Sequence, residues 1–296
     1  MKKKLTVLIV VLLMGALLVT GCEGKKEAEL RIGGKNFTEQ FIMAEMLGML
    51  IEEYTDLKPS IQTNLASNVI INAIKSDQID LYLEYTGTGL TDLGIEPITN
   101  PEEAYEVVKK EFDEQYNIKW MEPYGFNNTY ALMVTPETAE KYNLKTISDM
   151  AKLADELTLG CTYVFKERDD GYPGVSRHYD FEFGDVKGMD PALMYQAVVQ
   201  GEVDVISGFA TDGRMAAFGL IILEDDQQFF PPYDATVIIR GEILEQYPEL
   251  EEVLNKLAGR IDDNKMAELN AAVDLDKREP VDVAREFLEE VGLINK

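Results

Sequence analysis

The sequence predicts an α/β protein built as two lobes. Three observations carry that expectation. The chain has 296 residues, and at roughly 150 residues per domain two units are the default. Strand-like and helix-like segments alternate over its first third, the pattern of a largely parallel sheet flanked by helices. The third is an internal echo. Residues 73–85 align without gaps on residues 197–209; both read as helix end, tight turn and strand, and they finish on Tyr85 and Phe209.

Taken in order, the chain opens with Lys2, Lys3 and Lys4 and an apolar run from Leu5 to Thr20. That run is shorter than the ~20 residues that cross a bilayer as a helix. A basic start, an apolar stretch and small residues ahead of a cut site describe a secretory signal. Residues 1–21 are therefore expected to be a leader and 22–29 a polar tether. Leu30 to Gly34 reads as a strand, and Thr38 as the N-cap of the next helix. Phe41, Ile42, Ala44, Leu47, Leu50 and Ile51 recur at helical spacing, which predicts a helix over 39–54. A strand at 61–64, a helix from Asn68 and a strand over 78–85 follow. Two extended stretches, 129–134 before Thr135-Pro136 and 235–239 after Pro231-Pro232, read as crossings between lobes. They assign 30–131 and 236–296 to lobe 1 and 132–235 to lobe 2. The last sixty residues read as helices begun by Pro248 and Pro280 and packed on lobe 1.

Composition removes several function classes. Net charge is −26, from 54 acidic and 28 basic residues, and such an excess repels nucleic-acid phosphates. One histidine, His178, and two cysteines, Cys22 and Cys161, cannot build a zinc site. A Ser-His-Asp or Cys-His enzyme would have to use His178 alone, and no Walker-type phosphate loop is present. No catalytic residue, metal or cofactor is expected. Cys161 lies in an apolar alternating stretch and reads as a buried structural thiol; His178 reads as a surface residue. Asp80 and Asp204 hold corresponding places in the echo and read as structural.

Aromatic residues are better placed. The chain has 14 tyrosines and one tryptophan. Tyr85 precedes Thr86-Gly87-Thr88-Gly89, which reads as a turn; Tyr130 follows Phe126-Asn127-Asn128-Thr129, and Tyr233 follows Phe229-Phe230-Pro231-Pro232. Ligand crevices of open α/β sheets lie beyond the carboxyl ends of strands. Tyr85 and Phe209, at matching strand ends, are thus expected to face each other across a cleft.

Five blocks, in order, carry a resemblance: Gly33-Gly34-Lys35-Asn36-Phe37-Thr38-Glu39-Gln40, Glu84-Tyr85-Thr86-Gly87-Thr88-Gly89-Leu90, Asn127-Asn128-Thr129-Tyr130-Ala131-Leu132, Thr211-Asp212-Gly213-Arg214 and Phe229-Phe230-Pro231-Pro232-Tyr233-Asp234. From Leu30 onward the chain resembles the glycine betaine/choline/carnitine substrate-binding proteins of osmoprotectant ABC transporters. The resemblance implies a type II periplasmic-binding-protein fold with a ligand cleft between its lobes. It implies hinge closure on a quaternary ammonium solute, with no bond made or broken. Glycine betaine is the first choice; choline, carnitine or another trimethylated amino-acid derivative is the alternative. Position by position, it implies an aromatic cage of Tyr85, Tyr130, Phe209 and Tyr233. Phe209 stands where the family has tyrosine, keeping the π face and dropping the hydroxyl. A trimethylammonium head has no N–H to donate, whereas aromatic faces attract it by ~0.5–2 kcal/mol per contact.

Arg168, in Arg168-Asp169-Asp170-Gly171, is implied to bind a ligand carboxylate, assisted by Lys35 and Thr88, with Asn128 and Gln40 near the cage. Read from the residues alone, Arg168 has an interlobe salt bridge as its alternative role, and Lys35 is equally a solvated turn residue. Leu18-Val19-Thr20-Gly21-Cys22 resembles a bacterial lipobox, which implies cleavage before Cys22, its lipidation, and an extracytoplasmic protein anchored to the cell membrane or periplasmic. The implied partners are the quaternary ammonium solute, a permease subunit and the membrane. The chain itself is expected to be a monomer.

Overall fold

Two five-stranded sheets of one plan organise the protein in a computed structural model, which describes residues 29–295. The expected leader, Cys22 and the tether up to residue 28 lie outside the described residues. In chain order the strands are β1 (Glu29–Lys35), β2 (Lys58–Leu65), β3 (Leu81–Tyr85), β4 (Ile118–Trp120) and β5 (Tyr130–Val134). There follow β6 (Thr158–Cys161), β7 (Asp185–Gly188), β8 (Val205–Phe209), β9 (Ile221–Ile222) and β10 (Ala235–Arg240). The first sheet runs β2-β1-β3-β10-β4 and the second β7-β6-β8-β5-β9. In each, three strands are parallel, and the strand that arrives from the other lobe lies antiparallel beside them.

The exchange of β5 and β10 shifts the expected lobe boundaries. Tyr130 and Ala131 belong to the second sheet and Ala235 to the first. The chain crosses slightly earlier on both passes because the two passes pair with each other. Asn127 bridges Asp234, Asn128 N donates to Tyr233 O at 3.0 Å, and Tyr233 N donates to Asn127 Oδ1 at 2.7 Å. Glu29, expected in the tether, is the first residue of β1.

The echo is structural. Helices Ser67–Lys75 and Pro191–Val199 occupy matching places. The turns after them place Asp77 at φ 60° and Gly201 at φ 71°, the left-handed conformation that glycine and the short polar residues tolerate best. Asp80 then clamps the start of β1: its Oδ2 accepts from Arg31 N at 2.8 Å, and its own N–H donates to Arg31 O at 2.8 Å. Asp204 repeats both bonds with Thr158, each at 2.9 Å. Asp80 also carries the Arg31 and Arg240 guanidinium groups. Burial opposes its ionisation, but the bonds from Arg31 and Arg240 outweigh that and hold its carboxyl below the ordinary value.

Helix Thr38–Tyr54 is buried on nearly every face, because the C-terminal helices cover the side turned from the sheet. Ile42, Met46, Leu50, Leu254, Met266, Phe287 and Leu288 share one apolar cluster. The C-terminal helices pack on lobe 1 as expected, with Pro280 at the start of Pro280–Glu290. Thr38 is not the N-cap. It is the first helical residue, and its hydroxyl donates to Asp274 Oδ1 at 2.5 Å. Nor is Thr86 to Gly89 a turn; it opens helix Thr86–Leu93. Cys161 is buried, its thiol pushed up to about 11 by desolvation, and His178 is exposed.

The doubled clamp is unequal. Asp80 neutralises two guanidinium groups while Asp204 holds one backbone N–H. Asp80→Ala is expected to cost about 3 kcal/mol, since it strips a buried partner from charged groups, and Asp204→Ala about 1 kcal/mol. Urea unfolding at pH 7 measures both. Because the Asp80 carboxyl is depressed, its contribution is complete above the ordinary aspartate range and fades as pH falls through the lower, folded value. Equal costs for the two variants would contradict the assignment.

Candidate functional site

Strand register builds the first part of the site. Tyr130 opens β5 and Phe209 closes β8, and the antiparallel pairing sets them opposite each other. Directly opposed residues project from one face, and the two rings stack at 5.0 Å with 27° between planes. Tyr233, on the returning pass, meets Tyr130 edge-on at 6.0 Å. Phe165 and Phe230 back the group at 5.0 and 6.1 Å from Tyr130. Burial pushes the Tyr130 phenol up to about 12, so it stays neutral. Tyr233 lies close because Gly87 has no side chain; a Cβ there would stand 2.8 Å from its ring.

Arg168 reaches this group through a carboxylate. Its Nε donates to Asp170 Oδ1 at 2.6 Å and a terminal nitrogen bonds Oδ2, to which the Tyr233 hydroxyl also donates, at 2.5 Å. Burial would raise Asp170, but the bonds from Arg168 and Tyr233 outweigh it and hold the carboxyl low. The fork occupies Nε and one terminal nitrogen, so the other terminal nitrogen is outside the pair. Arg168 is 35% exposed and lines a cleft of about 780 Å³ between the lobes, with Gly87, Leu90 and Gly94 on one side and His178 and Phe229 on the other. Thr88 is half-buried in the first turn of Thr86–Leu93.

The second part lies at the end of β3. Lys35 is buried, not solvated; it pairs with Glu84, and its Nζ stands 4.9 Å from the centre of the Tyr85 ring. Gln40 brackets the strands, accepting from Lys35 N at 3.1 Å and donating to Leu83 O and the Tyr85 hydroxyl at 3.0 and 3.1 Å. Tyr85 stacks on Phe37 at 6.4 Å and belongs to the apolar cluster that holds Tyr233, against which Tyr130 packs. Among the described residues no ring pair joins Tyr85 to Phe209. The expected face-to-face pair is replaced because β5 occupies the flank of β8 and presents Tyr130 there instead.

Sequence reasoning missed the group that ties these parts together. Glu39, in the first turn of its helix, is 2% exposed. It accepts from the Tyr85 hydroxyl at 2.5 Å, Asn128 Nδ2 at 2.9 Å and Asn270 Nδ2 at 3.3 Å. Asn270 Nδ2 also donates to Thr211 O at 2.9 Å. Burial raises the Glu39 carboxyl despite these three bonds. The only sequence signal was an acidic residue in a first helical turn, which is ordinary. Phe165, Phe230, Asp170 and Asn270 also escaped notice as site residues.

Two lobes joined by a paired double crossing, with rings, an arginine and a buried carboxylate gathered where they meet, define a solute receptor of the two-lobed binding-protein class. The chain belongs to the OpuAC family, the substrate-binding domains of ABC-type glycine betaine transport systems, whose family model matches residues 28–290. The carnitine transport binding protein OpuCC of Listeria monocytogenes is 42% identical over 299 residues, covering 98% of this chain and 97% of that one. The ergothioneine transport permease/ergothioneine binding protein EgtU of Helicobacter pylori is 34% identical, over 98% of this chain and 52% of that longer protein. A crystal structure of a glycine betaine/carnitine/choline ABC transporter superposes with a TM-score of 0.81 at 40% identity, covering 89% of this chain and 99% of that one.

The two lobes come into backbone contact at Gly213. A Cβ there would stand 2.4 Å from Ala271 N and 2.7 Å from Ala267 O, so this lobe 2 residue touches the bare backbone of helix Asp263–Asp274. Gly213→Ala is expected to hold the lobes apart and weaken solute binding at least tenfold by calorimetric titration, since close-packed backbone does not yield cheaply. Unchanged affinity would show that the bound state does not need this contact.

Proposed function

We propose that the protein is the receptor of an ABC importer for a trimethylammonium solute carrying a carboxylate, glycine betaine or a longer betaine such as carnitine. The observation that carries this reading is the ring group of Tyr130, Phe209 and Tyr233, with Tyr85 in the adjoining cluster. Rings attract a cation that cannot donate hydrogen bonds. The ligand bridges both lobes, and its greater affinity for the closed form shifts the open–closed equilibrium. Arg168, with one terminal nitrogen outside its pair with Asp170, meets the carboxylate; Thr88 assists from the facing helix turn. Lys35 contributes through the Tyr85 ring, its ammonium being held by Glu84. Asn128 and Gln40 orient Tyr85 and its surroundings.

The reading includes export and lipidation at Cys22, which would tether the receptor outside the cytoplasm beside its permease, as a monomer. Among the described residues no helix is long and apolar enough to cross a membrane. The cleft beside Arg168 favours a ligand with a body beyond its onium head, and carnitine and ergothioneine both have one. Choline, which lacks a carboxylate, is the weaker candidate.

Titration of residues 23–296 with glycine betaine, carnitine, ergothioneine and choline tests this. Arg168→Ala is expected to weaken the carboxylate ligands tenfold to a hundredfold, in keeping with about 1.5–3 kcal/mol for a charged hydrogen bond, and to leave choline nearly unchanged. Equal losses for both classes would overturn the role of Arg168.

A further inference from the structure

Most buried or half-buried charges at the lobe junction are neutralised by a partner: Lys35 by Glu84, Arg168 by Asp170, Arg214 by Asp212. Glu39 is different. Among the described residues its donors are uncharged: Tyr85 from β3, Asn128 from the first crossing and Asn270 from helix Asp263–Asp274, and Asn270 in turn donates to the Thr211 carbonyl of lobe 2. The nearby titratable groups are Tyr85 itself, the Lys35–Glu84 pair behind its ring, Asp274 bonded to Thr38, and Asp212 bonded to Arg214. The amide orientation that serves Glu39 leaves Asn128 Oδ1 and Asn270 Oδ1 buried with no donor among the described residues. A carboxylate and two amide oxygens therefore give this buried spot a surplus of acceptors. Its partners are the cage residue Tyr85, the residue two before cage residue Tyr130, and Asn270, which also donates to the residue two after Phe209.

We infer that Glu39 is the fixed counter-charge of the cation site, a positioning residue that acts through Tyr85 and the lobe-closing bonds of Asn270 and Thr211. An onium head in the ring cage supplies the positive charge that no side chain supplies, and an ionised Glu39 strengthens its hold. This deepens the proposed function and rests on it. Binding of a cation and protonation of Glu39 then oppose each other. The carboxyl lies above the ordinary glutamate value because it is buried, so affinity falls as pH drops through that raised value. A raised carboxyl also means that the unliganded protein loses stability as pH rises through the folded value; the solute offsets that cost.

The experiment titrates wild type and Glu39→Gln with glycine betaine, carnitine and choline between pH 5 and 7.5, a range over which the quaternary charge does not change. Failure of every solute to bind wild type would sink the functional reading itself. With a solute that binds, Glu39→Gln is expected to weaken affinity at least tenfold at pH 7.5 and to flatten the pH profile, while its unliganded form melts no lower than wild type. His178 is present in both proteins, so their difference isolates Glu39. Should Glu39→Gln fail to fold, Tyr85→Phe serves: it keeps the ring but removes one donor from Glu39, and the midpoint of the affinity loss is expected to move to higher pH. A Glu39→Gln protein with a lowered melting temperature and an unchanged pH profile would make Glu39 a structural hub and overturn the inference. So would a Tyr85→Phe midpoint that stays in place.

Discussion

Tyr130 stacks on Phe209 because β5 and β8 run antiparallel and leave these two residues opposite each other at the end of the second sheet. The remaining features of the site depend on that register. A slip of β5 by one residue would turn Tyr130 to the other face and part it from Phe209 and Tyr233. The register is held in turn by the double crossing, where Asn127 and Asp234 pair. The same pair of strands that joins the lobes therefore positions the rings, and rotation about the junction changes what those rings enclose.

Electrostatics at the junction follows from burial. A charge removed from water persists only with a partner, and the pairs Lys35–Glu84 and Arg168–Asp170 meet that requirement. Each pair also does something for an aromatic ring: Lys35 lies over Tyr85, and Asp170 accepts from the Tyr233 hydroxyl. Arginine suits its place because a planar fork can engage one carboxylate and still offer N–H groups outward. Glu39, with neutral donors alone, leaves the junction short of one positive charge.

Much of the fold was legible because it repeats. The 73–85 and 197–209 segments share helix end, left-handed turn, aspartate clamp and terminal ring, and that likeness survives in sequence since each step has a local cause. The choice of rings proposed for the cage came from the resemblance. What stayed hidden was set by distant partners. Glu39 is marked as special by Tyr85, Asn128 and Asn270, 46, 89 and 231 positions away, and Asp170 is tied to the rings by Tyr233, 63 positions away. Thr86 to Gly89 misled as a turn because its glycines serve close packing: Gly87 admits Tyr233, and Gly89 admits the Trp120 ring. The crossings were placed a few residues late because extended sequence does not say which sheet will claim it.

Recognition of charge, rather than of a methylated shape, is the claim on which the account stands. It is tested most directly by comparing a quaternary ammonium solute with its uncharged carbon isostere, for example choline against 3,3-dimethylbutan-1-ol, by calorimetric titration of the same protein. The two fill space alike, and only one is drawn to ring faces at about 0.5–2 kcal/mol per contact. The account predicts that the carbon analogue binds at least tenfold more weakly. Equal affinity would mean that the rings provide an apolar hollow and nothing more, and would contradict it.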